Sequence, residues 1–273
     1  MPVLLVAGLM EDLTGWPTAF VTGLAERGFR VIRFDNRDVG RSSSMSASPP
    51  SLARQFFARP RPDAYTLEDM AADAVGLLDH LGIRRAHVIG RSMGGMIAQA
   101  IAAEHPGRVL TLTSFYSTTG NRRVGKAALS TKVKLIAKPP TTLDGYIARH
   151  LDLVAHLAGR DHPYDEADEI THARAAWRRA TGNAGRAGAA RQIQAIAASG
   201  DRTPRLRTIR VPTLVINGDR DLIVHPSGGT ATARAIPGAR HIVIPGMGHH
   251  LPPSLIDIVL GHITWHTRQG AAS

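Results

Sequence analysis

Ala86-His87-Val88-Ile89-Gly90-Arg91-Ser92-Met93-Gly94-Gly95 is the stretch whose reading decides the fold. A short apolar run leads into a bend, and small residues over 94–103 leave it on a helical pattern. A lone serine sits at the bend. Gly90 and Gly94 flank Ser92 because side chains there would collide across so tight a strand-to-helix turn. A serine hydroxyl is a poor nucleophile until the chain lifts it into the open and a base takes its proton. This turn does the lifting. The G-x-S-x-G spacing is weak alone and gains meaning from the strand before it and the helix after it.

Outward from that turn, short apolar runs alternate with helical patterns. Strands are predicted at 3–7, 30–35, 86–89, 109–115, 213–217 and 241–244, with a helix over 16–27. Leu67, Met70, Ala74, Leu78 and Leu81 fall three or four apart and make one helical face. Thr66 and Asp69 form a capping pair at its start, and Gly82 ends it. Strands buried on both sides and alternating with helices argue for a parallel sheet in a three-layer α/β domain.

The alternation breaks between about 117 and 210. Three or four helices are predicted there, near 124–137, 143–158, 165–180 and 187–198, punctuated by Pro139-Pro140, Asp161-His162-Pro163 and Gly182-Asn183. An insertion between two sheet strands should lie over their C-terminal edge, where open α/β sheets place the ligand crevice. The expected organisation is a core from 1–118 and 205–273, with 119–204 as a helical cap. Residues 42–63 form a long polar loop, expected to be mobile.

The 273 residues suffice for one substantial core. With 43% hydrophobic and 20% charged residues, the chain is neither disordered nor membrane-embedded. Its first residues, Met1 to Val6, lack a basic region and a cleavage site, so they read as a buried strand and not a signal peptide. A cytoplasmic address is the default. With no cysteine, disulfides, a thiol nucleophile and a Cys-ligated metal are excluded. The net charge of +11 invites a nucleic-acid reading, but 117–210 holds 17 Lys+Arg against 8 Asp+Glu, and no helix-turn-helix, zinc-finger or RNA-binding signature accompanies it. Nucleic acid is not expected as a partner.

Serine needs a base, and the base needs an orienting acid. In this kind of fold they follow in chain order Ser, Asp or Glu, His. After the strand at 213–217 comes Gly218-Asp219-Arg220-Asp221; after 241–244 comes Pro245-Gly246-Met247-Gly248-His249-His250. Both loops leave the same sheet edge as Ser92. Asp219 and Asp221 both qualify as the acid, and Asp221, three residues past Gly218, has the preferred spacing; Asp219 reads alternatively as a turn residue bonding its own backbone. His249, directly after Gly246-Met247-Gly248, is preferred over His250 as the base.

These residues resemble the α/β-hydrolase fold family. Within it, 33–42 (Arg-Phe-Asp-Asn-Arg-Asp-Val-Gly-Arg-Ser), 90–95 and 246–252 look like an actinobacterial carboxylesterase branch that includes aclacinomycin methylesterase-like enzymes. The resemblance covers nearly the whole chain and is thinnest over 119–200. It implies Ser92 as nucleophile, Asp221 as acid and His249 as base, with an oxyanion hole from the backbone N–H groups of Leu9 and Met93. It implies no metal and no organic cofactor. Two departures stand out. Ala7-Gly8 replaces the usual His-Gly, which matters little for a backbone donor. The β-hairpin usual ahead of the first strand is absent, so the sheet edge is expected to be shortened or the natural start to lie upstream.

The expected activity is therefore carboxylic ester hydrolysis of the esterase or lipase type, on a small-molecule or lipid ester. The same residues would serve thioester, amide, peracid or C–C chemistry, because fold does not fix chemistry. A third reading is a lipid-surface protein: 122–138 carries six positive charges interleaved with Val124, Leu129, Val133, Leu135 and Ile136, suiting a weak anionic membrane contact. Its simpler counterpart is a solvated outer helix face. Other residues carry less. Asp35, Arg37 and Asp38 suggest ion pairs near the cleft. Trp16 suits packing more than substrate contact. Arg91 reads either as a surface arginine or as a partner for an acidic substrate group. His225-Pro226 reads as a turn.

Overall fold

Strand alternation sends apolar side chains to both faces of the sheet, and helices cover both. The structure is a computed structural model that describes residues 1–51, 54, 59–136, 140–159, 161–179 and 184–271. Lys138, Pro139, Gly182, Asn183 and the loop residues 52–53 and 55–58 lie outside these. Six strands, β1 (Pro2–Val6), β2 (Arg30–Arg33), β3 (Ala86–Arg91), β4 (Val109–Phe115), β5 (Thr213–Gly218) and β6 (Arg240–Ile244), form one sheet in the order β2-β1-β3-β4-β5-β6. Every neighbouring pair is parallel, with registers such as Leu5 beside Arg33 and Val6 beside Gly90.

Ten helices are described: α1 (Thr18–Glu26), α2 (Leu67–His80), α3 (Met93–Glu104), α4 (Leu129–Ile136), α5 (Leu143–Leu157), α6 (Glu166–Arg179), α7 (Ala184–Ser199), α8 (Thr203–Leu206), α9 (Ser227–Ala235) and α10 (Pro253–Ala271). In β1, Val3 and Leu5 point into a core shared with α1 and α10. Leu4 and Val6 point the other way, into a core with α2 and α3. Fully buried side chains such as Phe20 and Leu78 each stabilise the fold by about 1.5–3 kcal/mol. The capping pair at α2 is a complete capping box: the Thr66 hydroxyl accepts from the Asp69 N–H, and the Asp69 carboxylate accepts from the Thr66 N–H at 2.7 Å.

From β1 the chain steps outward to β2, then returns to lay β3 on the other side of β1. The strand order therefore reverses between β1 and β3, the point at which open α/β sheets place their ligand crevice. The four helices α4 to α7 lie in the chain between β4 and β5.

Local chemistry explains where boundaries differ from the pattern. β3 runs on through Arg91 because pairing with β4 continues to Phe115. β2 stops at Arg33 because the Asp35 carboxylate is turned to accept the N–H groups of Leu13 and Arg41, each at 2.8 Å. α4 starts at Leu129 and not near 124, because the chain before it is held in turns: Gly125 has φ +62° and donates to the Ser227 hydroxyl. The start of the 42–63 loop is pinned. Ser42 Oγ donates to the Asp35 carbonyl, Met45 N–H to Asp38, and the Ala47 carbonyl accepts from Arg191. Among the described residues, no helix is long and apolar enough to cross a membrane.

Candidate active site

Ser92 stands at the join of β3 and α3 with φ +53° and ψ −122°, a conformation that costs a non-glycine residue about 1–3 kcal/mol. The neighbourhood over-determines it. Ser92 N–H donates to the Phe115 carbonyl at 2.9 Å, and the Ser92 carbonyl accepts from Ser117 Oγ at 2.8 Å. A Cβ on Gly90 would come within 2.0 Å of the Gly94 carbonyl oxygen, and one on Gly94 within 2.1 Å of the Val6 carbonyl oxygen. The tight turn predicted from the two glycines is thus a backbone-on-backbone contact.

The loops after β5 and β6 bring the acid and base candidates together. His249 Nδ1 lies 2.6 Å from Asp221 Oδ2. The other Asp221 oxygen accepts the N–H groups of Ile223 and Val224, each at 2.8 Å, so its own loop holds the carboxylate. The side chain is fully enclosed. Tyr116, which directly follows β4, lays its ring 4.5 Å from that of His249. Burial pushes the Tyr116 hydroxyl up to about 12, leaving it neutral beside the imidazole.

Asp219 takes a different place. Its carboxylate accepts the Gly246 N–H at 2.7 Å, so it ties the two loops together instead of bonding its own turn. His250 turns toward α6, where Nε2 lies 3.5 Å from Glu169. Burial pushes its imidazole down to about 4. His150 of α5 meets the same carboxylate at 2.6 Å, and the His172 ring lies 5.3 Å from that of His150. Among the described residues, no group of three or more His, Asp or Glu side chains is placed to hold a metal ion.

The Ala7-Gly8-Leu9-Met10 loop leaves β1 beside the Ser92 turn, and an added Cβ on Gly8 would sit 3.4 Å from the Ser92 Cβ. The amides on either side of Leu9 are committed. Gly8 N–H donates to Glu11 Oε2 at 2.7 Å, and Met10 N–H donates to Gln192 Oε1 at 2.9 Å. Met93 is the first residue of α3, and the leading N–H groups of a helix have no acceptor within it. Leu9 and Met93 thus flank the serine from two elements.

Arg91 fits neither of its sequence readings. It is buried, ion-paired with Glu11 through two nitrogens, and its guanidinium lies 5.2 Å over the Trp16 ring. Trp16 is packing, stacked on Phe20 at 5.2 Å. The charged turn after β2 does form ion pairs: Asp35 with Arg179 at 2.6 Å, Asp38 with Arg191, and Arg37 with Asp73 at 2.6 Å. His225 makes a turn contact with Ser227 at 2.9 Å. Glu11 and Gln192 were not singled out by sequence. Their contacts with Arg91 and Met10 span 80 and 182 positions of the chain, and neither belongs to a local motif.

Comparison with known proteins agrees with this architecture. The family model described as alpha/beta hydrolase fold matches residues 1–253. The chain is 31% identical to rhodomycin D methylesterase DnrP of Streptomyces peucetius, over 98% of this chain and 91% of that protein. It is similar to the enol-lactonase of Burkholderia xenovorans LB400, with 27% identity, a TM-score of 0.69, and coverage of 100% of this chain and 91% of that one. It is also similar to a thermophilic esterase of Thermogutta terrifontis, with 28% identity, a TM-score of 0.71, and coverage of 99% and 90%.

Proposed function

The chain belongs to the alpha/beta hydrolase fold family, and on that premise we propose that it is a serine esterase acting on a small-molecule carboxylic ester through Ser92, His249 and Asp221. The observation that carries this reading is the 2.6 Å contact between His249 Nδ1 and the enclosed Asp221 carboxylate, on loops at the sheet edge where Ser92 stands. With Nδ1 donating to Asp221, Nε2 is the free base.

In this mechanism Ser92 Oγ attacks the ester carbonyl carbon while His249 Nε2 takes the hydroxyl proton. Asp221 holds the imidazole orientation and stabilises the imidazolium. The N–H groups of Leu9 and Met93 receive the negative charge on the carbonyl oxygen; losing one such donor slows an acyl transfer about 100- to 1,000-fold. Collapse breaks the C–O bond, and the leaving alkoxide takes the proton from Nε2 and departs as an alcohol. Water, deprotonated by the same nitrogen, then releases the acid from the acyl-enzyme. We assign α4 to α7 as the cap over this crevice; the ties of α5, α6 and α7 to the loops after β1, β2 and β6 support that.

A fluorophosphonate probe should label wild type at Ser92, and Ser92→Ala should lose both labelling and cleavage of p-nitrophenyl esters. Ester cleavage that survived Ser92→Ala intact would overturn the proposal. Running matched thioester and amide substrates beside the esters reads out the bond preference, and a wild-type preference for either over the ester would replace ester hydrolysis as the assigned reaction.

A further inference from the structure

We propose that Glu11 is a positioning residue that locks the oxyanion loop to the turn carrying Ser92, an inference that rests on the serine-hydrolase reading above. One carboxylate joins the two halves of the crevice. Glu11 Oε2 accepts the Gly8 N–H at 2.7 Å and the Arg91 Nε–H at 2.7 Å, while its other oxygen meets the far end of the same guanidinium. Gly8 lies one residue before the Leu9 donor, and Arg91 lies one residue before the nucleophile. The bridge therefore fixes two adjacent loops by charge-assisted, bidentate geometry.

The loop needs such a hold. Met10 has φ +64°, a left-handed conformation that a methionine rarely adopts, so the Gly8–Glu11 segment is under strain between its anchors. The direction of the Leu9 N–H is set by the peptide plane that joins Gly8 to Leu9. With Gly8 N–H tied to Glu11 and Met10 N–H tied to Gln192, that plane has little freedom. Space is as tight as the bonding: an added Cβ on Gly8 would meet Glu11 Oε2 at 2.7 Å.

Charge explains why Arg91 is the partner. A bare carboxylate near the developing oxyanion would repel it, since like charges interact strongly where water is excluded. The buried guanidinium neutralises Glu11. The ion pair thereby joins the turn of the nucleophile to the oxyanion loop, and Tyr116, two residues past the Ser114 that pairs with Gly90, packs its ring on His249.

The experiment compares wild type, Glu11→Gln and Glu11→Asp on p-nitrophenyl acetate, with melting temperature and affinity for phenylboronic acid, a tetrahedral-adduct mimic, measured alongside. Glu11→Asp keeps the charge and the pairing with Arg91 but withdraws the carboxylate from Gly8 N–H. A merely structural ion pair would be spared by it. Both variants are expected to lose about 10- to 100-fold in kcat with little change in KM, and boronate affinity should fall in parallel. Should Glu11→Gln fail to fold, Glu11→Asp decides. A folded Glu11→Asp with wild-type kcat and boronate affinity would overturn the inference while leaving the esterase reading intact. Absence of Ser92-dependent cleavage in wild type would overturn that reading, and this inference with it.

Discussion

Adjacent histidines at 249 and 250 meet opposite environments, and the backbone between them decides which of them meets Asp221. His249 faces Asp221 and the Tyr116 ring, whereas His250 is turned toward α6 against Glu169. His249→Gln is therefore expected to lower kcat for ester cleavage by at least about 100-fold, the usual contribution of a positioned general base. His250→Gln should leave kcat near wild type. Steady-state kinetics on one ester distinguishes them, and the reverse ranking would move the base to His250. At this scale the tight turn at Ser92 was legible because its neighbours must be small, and the meeting of Asp221 with His249 because each follows a strand by a short loop. Arg91 was not legible. A charged residue beside a nucleophile gives no sign of facing inward until its partner, 80 positions earlier in the chain, is found.

Among the elements, α6 and α7 show how the proposed cap is attached. Arg179 of α6 grips Asp12 and Asp35, while Arg191 and Gln192 of α7 grip Asp38, Met10 and the Arg37 carbonyl. Burial opposes ionisation of Asp38, but hydrogen bonds from Arg191, the Met45 N–H and Tyr65 outweigh it and hold the carboxyl below the usual range. A carboxyl depressed on folding contributes stability that is present above its unfolded pKa and lost as pH falls through the folded value. Asp38→Asn leaves Arg191 buried without a counter-charge and should cost about 3–5 kcal/mol, read by denaturant unfolding at pH 7. The gap from wild type should narrow only below about pH 4. These helices were legible from the break in strand alternation and from the proline and glycine punctuation between them. Their anchors stayed hidden, because an arginine that pairs far along the chain looks like any solvated arginine.

For the whole molecule, acid sensitivity should appear well before Asp38 protonates. Burial pushes His87 of β3 and His250, packed against α6, each down to about 4. In the unfolded chain both titrate near 6.5. Between that value and about 4, the unfolded state binds more protons, so stability falls as pH falls; above 6.5 these groups contribute no slope. The melting temperature should decline steadily from pH 6.5 to 4.5, and His87→Gln should flatten part of that decline. A flat profile across this window in wild type would refute the assignment. The layered architecture was the most legible level of all, since alternating apolar strands and helices permit few arrangements. The strand order, which reverses between β1 and β3, needed the structure.

One contact sets a limit on how such a scaffold can be re-engineered. The Leu157 carbonyl at the end of α5 accepts the His249 N–H at 2.8 Å, and Gly248 fits so closely that an added Cβ would lie 1.9 Å from that same oxygen. The insertion is thus not a detachable module. A chimera that replaced the segment between β4 and β5 would lose the backbone seat of His249, the proposed base, unless the graft carried the 157–159 turn with it. On the proposed reading, substrate range and chemical step would then be inherited together.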